Sequence, residues 1–167
     1  MSANFDQAKT EAQRVLEEHS IKSPPIPIVE IANNYGLNVR KINFNKYSGT
    51  VAGLINLKDS TIYVNEDDSE ERQAFTVAHE LGHYLLHKEK LEEDPKLSIL
   101  FRKPLGQTDP NPLEQEANTF AAEILVPMVI LREYLNKGIK EPVILADIFG
   151  VSQEVISYRI KDEKKER

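Results

Sequence analysis

The alternation of polar and apolar positions changes period several times along the chain, and each change marks a new element. Residues 6–19 place Ala12, Val15 and Leu16 on one side of a charged stretch, the spacing of an amphipathic helix. Ser23-Pro24-Pro25-Ile26-Pro27 is a stiff connector. Residues 28–35 predict a second helix, with Gly36 as its stop. Residues 37–44, 51–57 and 61–65 are short β-forming runs separated by Gly49 and by Lys58-Asp59-Ser60, so three strands are expected. A long helix should follow over about 69–88. Another should cover 113–126, and Pro127 suits the first position of the next one. Two short helices, 143–149 and 152–161, end the pattern.

Residues 89–112 hold Pro95, Pro104, Pro110 and Pro112. They are too many for a structureless connection in a compact domain, so the segment is either partly helical or a functional lid beside a cleft. The sum is an α+β fold, mostly helical, with a small antiparallel sheet next to the long helix. At 167 residues and 19.0 kDa, one domain spanning 1–167 is expected. Within it 27–136 reads as a core and 141–161 as a C-terminal helical pair.

The long helix carries His79-Glu80-Leu81-Gly82-His83. Positions i and i+4 lie one turn apart on one face, so both imidazoles can reach one metal, with Glu80 beside it as a base rather than a ligand. At about 100° per residue, Thr76, His79, Glu80, His83 and His87 share an arc, and Ala74, Val77, Ala78, Leu81 and Leu85 fill the opposite one. Gly82 costs about 1 kcal/mol relative to Ala in a helix interior. That cost is tolerable where another group must approach closely. The chain has no cysteine, which excludes thiolate ligation and leaves His and carboxylates as the metal donors.

A catalytic zinc site needs a third protein ligand. His87, Glu114 and Glu116 are the candidates. His87 lies about 12 Å along the axis from His79 at the usual rise, too far for one ion on an unbroken helix. It is read as a polar neighbour. Glu114 borders the apolar face of its helix together with Asn118, whereas Glu116 falls with Thr119 and Glu123 on the outward side. Glu114 is therefore favoured, with Asn118 placed to orient a ligand.

Two blocks, taken together, are similar to the ImmA/IrrE family of metallo-endopeptidases. One is Arg72-Gln73-Ala74-Phe75-Thr76-Val77-Ala78-His79-Glu80-Leu81-Gly82-His83-Tyr84-Leu85-Leu86-His87. The other is Glu114-x-x-Ala117-Asn118-x-Phe120-Ala121-Ala122-Glu123-x-Leu125-x-Pro127. Ser48-Gly49 and Ile62-Tyr63-Val64-Asn65 add to the resemblance. It implies a zincin-type site with His79, His83 and Glu114 as ligands of one Zn2+ per chain and Glu80 as general base. It also implies a protein substrate, a helix-turn-helix repressor of a phage, mobile element or stress system. Three further residues are candidates for oxyanion or substrate contacts: Tyr47 in a loop, and Thr61 and Tyr63 on a strand that could take an extended substrate if it is the sheet edge.

Residues 145–156 also resemble a helix-turn-helix with its turn at Gly150. Around the second helix, Glu154, Asp162 and Glu163 dilute Arg159, Lys161 and Lys164, and the chain carries a net charge of -6. Stable nucleic-acid binding is therefore not expected. A zinc sensor without proteolysis is a third class, against which the intact Glu80 argues. Residues 1–13 lack an apolar run and 124–131 are broken by Pro127, so neither a signal peptide nor a membrane span is expected and the cytoplasm is the expected compartment.

Overall fold

A computed structural model describes residues 1–101 and 108–167. The element order is α1 (Phe5–Glu18), α2 (Ile28–Asn34), β1 (Asn38–Ile42), β2 (Val51–Asn56), β3 (Thr61–Asn65), α3 (Glu70–Glu93), β4 (Ile99–Phe101), α4 (Pro112–Leu125), α5 (Met128–Asn136), α6 (Pro142–Phe149) and α7 (Gln153–Glu166). Short 3-10 turns occupy Asn45–Tyr47 and Pro95–Ser98. The α+β class is as expected, and helices dominate.

The sheet differs from the expected antiparallel one. Its order is β1-β3-β2-β4, with β1 parallel to β3 and the other pairs antiparallel. The reason lies in residues 43–50, which make a wide connection instead of a hairpin. They set β2 two strand positions from β1, and the β2–β3 turn then folds β3 back into the gap. Asn65 holds this arrangement from the end of β3. Its Nδ2 donates to the carbonyls of Ser48 and Val51 at 3.0 and 3.1 Å, and its own carbonyl accepts from Gln73 Nε2 of α3 at 2.9 Å.

Thus β3 is an interior strand. The expectation that it forms an edge for an extended substrate fails, because both its sides are paired. Among the described residues β4 takes the edge beside β2, an element absent from the predicted pattern. Residues 89–112 are likewise not one long loop. Their first part extends α3 to Glu93, with Leu91 buried, and the next part supplies the 3-10 turn and β4. Residues 102–107, central to the lid idea, lie outside the described residues.

Helix α3 starts at the Ser69 cap, whose side chain accepts from the Arg72 N–H. It packs on the sheet and, most extensively, against α4, while α1 covers α4 through Ala8, Ala12, Val15 and Leu16. Two glycines set how closely α3 is gripped. A Cβ on Gly53 of β2 would overlap the Thr76 methyl, and one on Gly82 would sit 2.9 Å from Phe120 Cδ1 of α4. Gly82 therefore admits the helix that bears Glu114, the close approach its helix position anticipates.

Helix α6 stops at Gly150, which is in the left-handed conformation, and α7 starts after the Ser152 cap and packs against α6. Arg159, counted above among possible phosphate contacts, is 1% exposed. Its guanidinium is paired with Glu123 of α4 and donates from Nε to the Val126 carbonyl at 3.0 Å. Glu123, expected on the outward side of its helix, is correspondingly buried. The pair docks α7 onto α4.

Candidate metal centre

His79 and His83 occupy successive turns in the middle of α3, and Glu114 enters from the first turn of α4. Glu114 Oε2 lies 3.2 Å from His79 Nε2, and its Oε1 lies 2.9 Å from His83 Nε2. Donor atoms of the three residues all fall within 4.8 Å of one another. His79, Glu80 and His83 are 0% exposed.

The protonation pattern decides what can sit among these donors. His79 Nδ1 is 2.9 Å from Asn118 Oδ1, an oxygen that only accepts. Nδ1 therefore carries the proton, and with that as its single proton His79 presents a lone pair at Nε2. Burial pushes His83 down to about 4, against the opposing pull of Glu114. Near neutral pH its imidazole carries one proton. Burial also lowers His87, with Glu116 opposing. Burial raises the Glu114 carboxyl, and donation from His79 and His83 would hold it below the usual carboxylate range, a donation that each Nε2 can make only as an imidazolium. Lone pairs and an anionic oxygen thus converge with no hydrogen between them unless an imidazole becomes a cation. In geometric terms His79 Nε2 and His83 Nε2 have no hydrogen-bond partner.

Both oxygens of Glu80 are also buried and unpartnered. Burial, and then the charge of Glu114, push its carboxyl well above the ordinary range. An unsatisfied buried polar group costs about 1–3 kcal/mol. Four such atoms within one turn of helix are the chemistry of a site that could hold a cation with a water or substrate beside it. A His2Glu donor set with nitrogen and oxygen ligands suits zinc.

The remaining candidates separate into two groups. Asn118 and His87 are at the site, Asn118 on His79 and His87 on His83. Tyr47, Thr61 and Tyr63 are elsewhere. Tyr47 is exposed on a 3-10 turn, Thr61 is buried in β3, and the Tyr63 hydroxyl donates to Asp59 at 2.7 Å. None of the three lines the main cleft. Glu116, which helix periodicity places outward, accepts from His87 Nε2 at 2.7 Å. A periodic reading of α4 alone misses it. The one available signal is His87 itself, a histidine at i+4 from His83 in search of a partner.

A cleft of about 1060 Å³ opens over the site. Glu114 and Asn118 line it together with the apolar Phe75 and Leu100 and with Tyr158 of α7. His79, Glu80 and His83 are buried and do not themselves line it.

Two buried histidines one turn apart on a long helix, a glutamate brought to them from a second helix, an unpartnered carboxyl beside them and an adjoining cleft make the class of site found in metallopeptidases. The chain belongs to the Peptidase_M78 family, metallopeptidases of the ImmA/IrrE type, whose model, the IrrE N-terminal-like domain, matches residues 32–161. It is similar to an uncharacterized immunity region protein 2 of Bacillus phage phi105, 27% identical over 130 residues that cover 77% of this chain and 73% of that one. It is also similar to the metallopeptidase ImmA of Bacillus subtilis (strain 168), 26% identical over 91% of this chain and 83% of that protein. The radiation response metalloprotease IrrE of Deinococcus radiodurans is 33% identical over 51% of this chain but only 25% of its own length. Among solved structures, a Mycobacterium tuberculosis transcriptional regulator shares the fold with a TM-score of 0.66 at 16% identity, over 92% of this chain and 46% of that one. Among the described residues no helix is long and apolar enough to cross a membrane.

Proposed function

We propose that this chain is a zinc endopeptidase that acts as one catalytic unit, with His79, His83 and Glu114 as ligands and Glu80 as general base. The observation that carries this reading is the set of buried, unpartnered donor atoms facing one point, with no protein hydrogen available to satisfy them. Zinc bound there would supply Lewis acidity toward the scissile carbonyl and the attacking water. Glu80 takes the proton of that water as the C–O bond forms, and returns it to the amine as the C–N bond breaks. A carboxyl whose affinity for a proton is raised by burial is matched to that task, since it must hold the proton between two steps. Asn118 keeps His79 in the tautomer that leaves Nε2 free. The cleft holds the peptide.

The substrate class is a helix-turn-helix repressor of a phage, mobile element or stress system, in the cytoplasm where such repressors act. Kinship with a phage immunity region protein and a radiation response metalloprotease supports that direction. DNA binding by α7 is disfavoured, because Arg159 is spent on Glu123 inside the protein.

Two variants test the roles. Glu80→Gln keeps shape and one acceptor oxygen but loses the basic carboxylate. Cleavage of a repressor substrate should fall by about two orders of magnitude or more while zinc affinity changes little. Glu114→Gln should weaken zinc binding itself. Full cleavage by Glu80→Gln, or equal zinc loss in both variants, means the roles are assigned wrongly.

A further inference from the structure

The two metal-facing histidines are held in different ways. Each must present a bare Nε2 to a metal, so each must carry its proton on Nδ1. For His79 the partner settles this, because Asn118 Oδ1 only accepts. For His83 the partner does not. Its Nδ1 lies 2.9 Å from Nδ1 of His87, an atom able to accept or to donate. The decision falls one residue further out. His87 Nε2 lies 2.7 Å from Glu116 Oε2, and a carboxylate accepts. A neutral His87 that gives its single N–H to Glu116 has a lone pair at Nδ1. It must then accept from His83, and His83 Nε2 is left bare.

Two further observations place this outside coincidence. Glu116 is itself fixed, since its other oxygen accepts from the backbone N–H of Asn4 at 2.7 Å, at the start of α1. In addition, α3 departs from helical dihedrals at one residue within its 24, and that residue is His87 (φ -131°, ψ 21°). The kink sits where the ring must span from His83 to α4. His87 is only 4% exposed, so bulk water does not compete for its nitrogens.

We propose that Glu116 and His87 form a positioning relay that sets the tautomer and orientation of His83, with α1 as its anchor. This rests on the reading of His83 as a metal ligand. The relay lengthens the common carboxylate–histidine–metal arrangement by one imidazole, and passes part of the Glu116 charge to His83 as stronger electron donation at Nε2.

The chain has four histidines, so their tautomers are readable in 15N-labelled, zinc-loaded, full-length protein by long-range 1H–15N correlation. His87 should be neutral with its proton on Nε2, and His83 should be protonated on Nδ1. A His87 protonated on Nδ1, or on both nitrogens, overturns the relay. Zinc affinity, measured by chelator competition, gives the second reading. His87→Leu should weaken zinc about 10–100-fold. His87→Gln, whose amide oxygen can accept from His83, should recover much of that loss. Unchanged zinc affinity in His87→Leu also overturns the relay. If that variant does not fold, the tautomers of the unaltered protein still decide. His83→Ala separates the two levels. Zinc retained there sinks the metal site itself, whereas zinc lost there but indifferent to His87→Leu sinks the relay alone.

Discussion

Helix α4 carries an inward-facing carboxylate toward each of its ends, Glu123 buried and Glu114 half-buried, and the two ends are completed differently. Toward the C-terminal end, Glu123 meets the guanidinium of Arg159, which also donates to the Val126 carbonyl, so charge and hydrogen bonds are both answered from within the chain. At the N-terminal end, Glu114 faces two imidazole nitrogens that have no hydrogen to offer, beside a Glu80 with no partner at either oxygen. Taking a carboxylate out of water is costly in both places, by up to several kcal/mol where burial is complete. One end offsets that cost with a cation of its own. The other leaves it to something that binds. Burial of charge alone therefore does not mark function; burial without an internal answer does.

The largest effect expected from testing this contrast is at the closed end. Arg159→Met should lower the unfolding free energy by roughly 3–5 kcal/mol, because it strands Glu123 in the interior. The double variant Arg159→Met with Glu123→Met should recover most of it, as read from denaturant titrations. A single variant as stable as the unaltered protein would mean that the pair is not closed in the sense argued here.

The open end should respond to metal instead. Saturating zinc at about 100–1,000 times its Kd should stabilise the chain by about 3–4 kcal/mol relative to the chelated protein. The gain should survive in Arg159→Met and vanish in His83→Ala. A zinc increment that persists without His83 would place the ion elsewhere.

The smallest effect concerns how α4 is brought to α3. Gly82→Ala gains about 1 kcal/mol of helix propensity. It also presses a methyl onto Phe120, where overpacking costs about 1–3 kcal/mol. A modest net loss of stability is expected, along with weaker zinc binding as Glu114 is pushed back. A stabilised variant with unchanged zinc affinity would show that the close approach is not needed.

Much of the site could be read from spacing. An i, i+4 pair of histidines on one helix meets whatever the rest of the chain does, and Glu80 is carried with them. The choice of Glu114 rested on its place beside an apolar face, which is also a local property. What failed were inferences that depended on neighbours. Glu123 looked outward because nothing local announces Arg159, 36 residues later. Glu116 looked outward because its partner is on α3. Thr61 and Tyr63 looked available because an edge strand and an interior strand have the same pattern when both are short.

The sequence by itself determined the helix that holds His79, Glu80 and His83, the absence of thiolate ligands and the order of most elements, since each follows from periodicity, composition or a local stop signal. Only the tertiary structure decided the rest: which carboxylates face inward, that β3 lies inside a mixed sheet with β4 at its edge, and that His87 points from His83 to Glu116. Those are outcomes of packing between segments far apart in the chain. Register, crossing and burial there are set by the fit of whole surfaces, which local spacing does not encode.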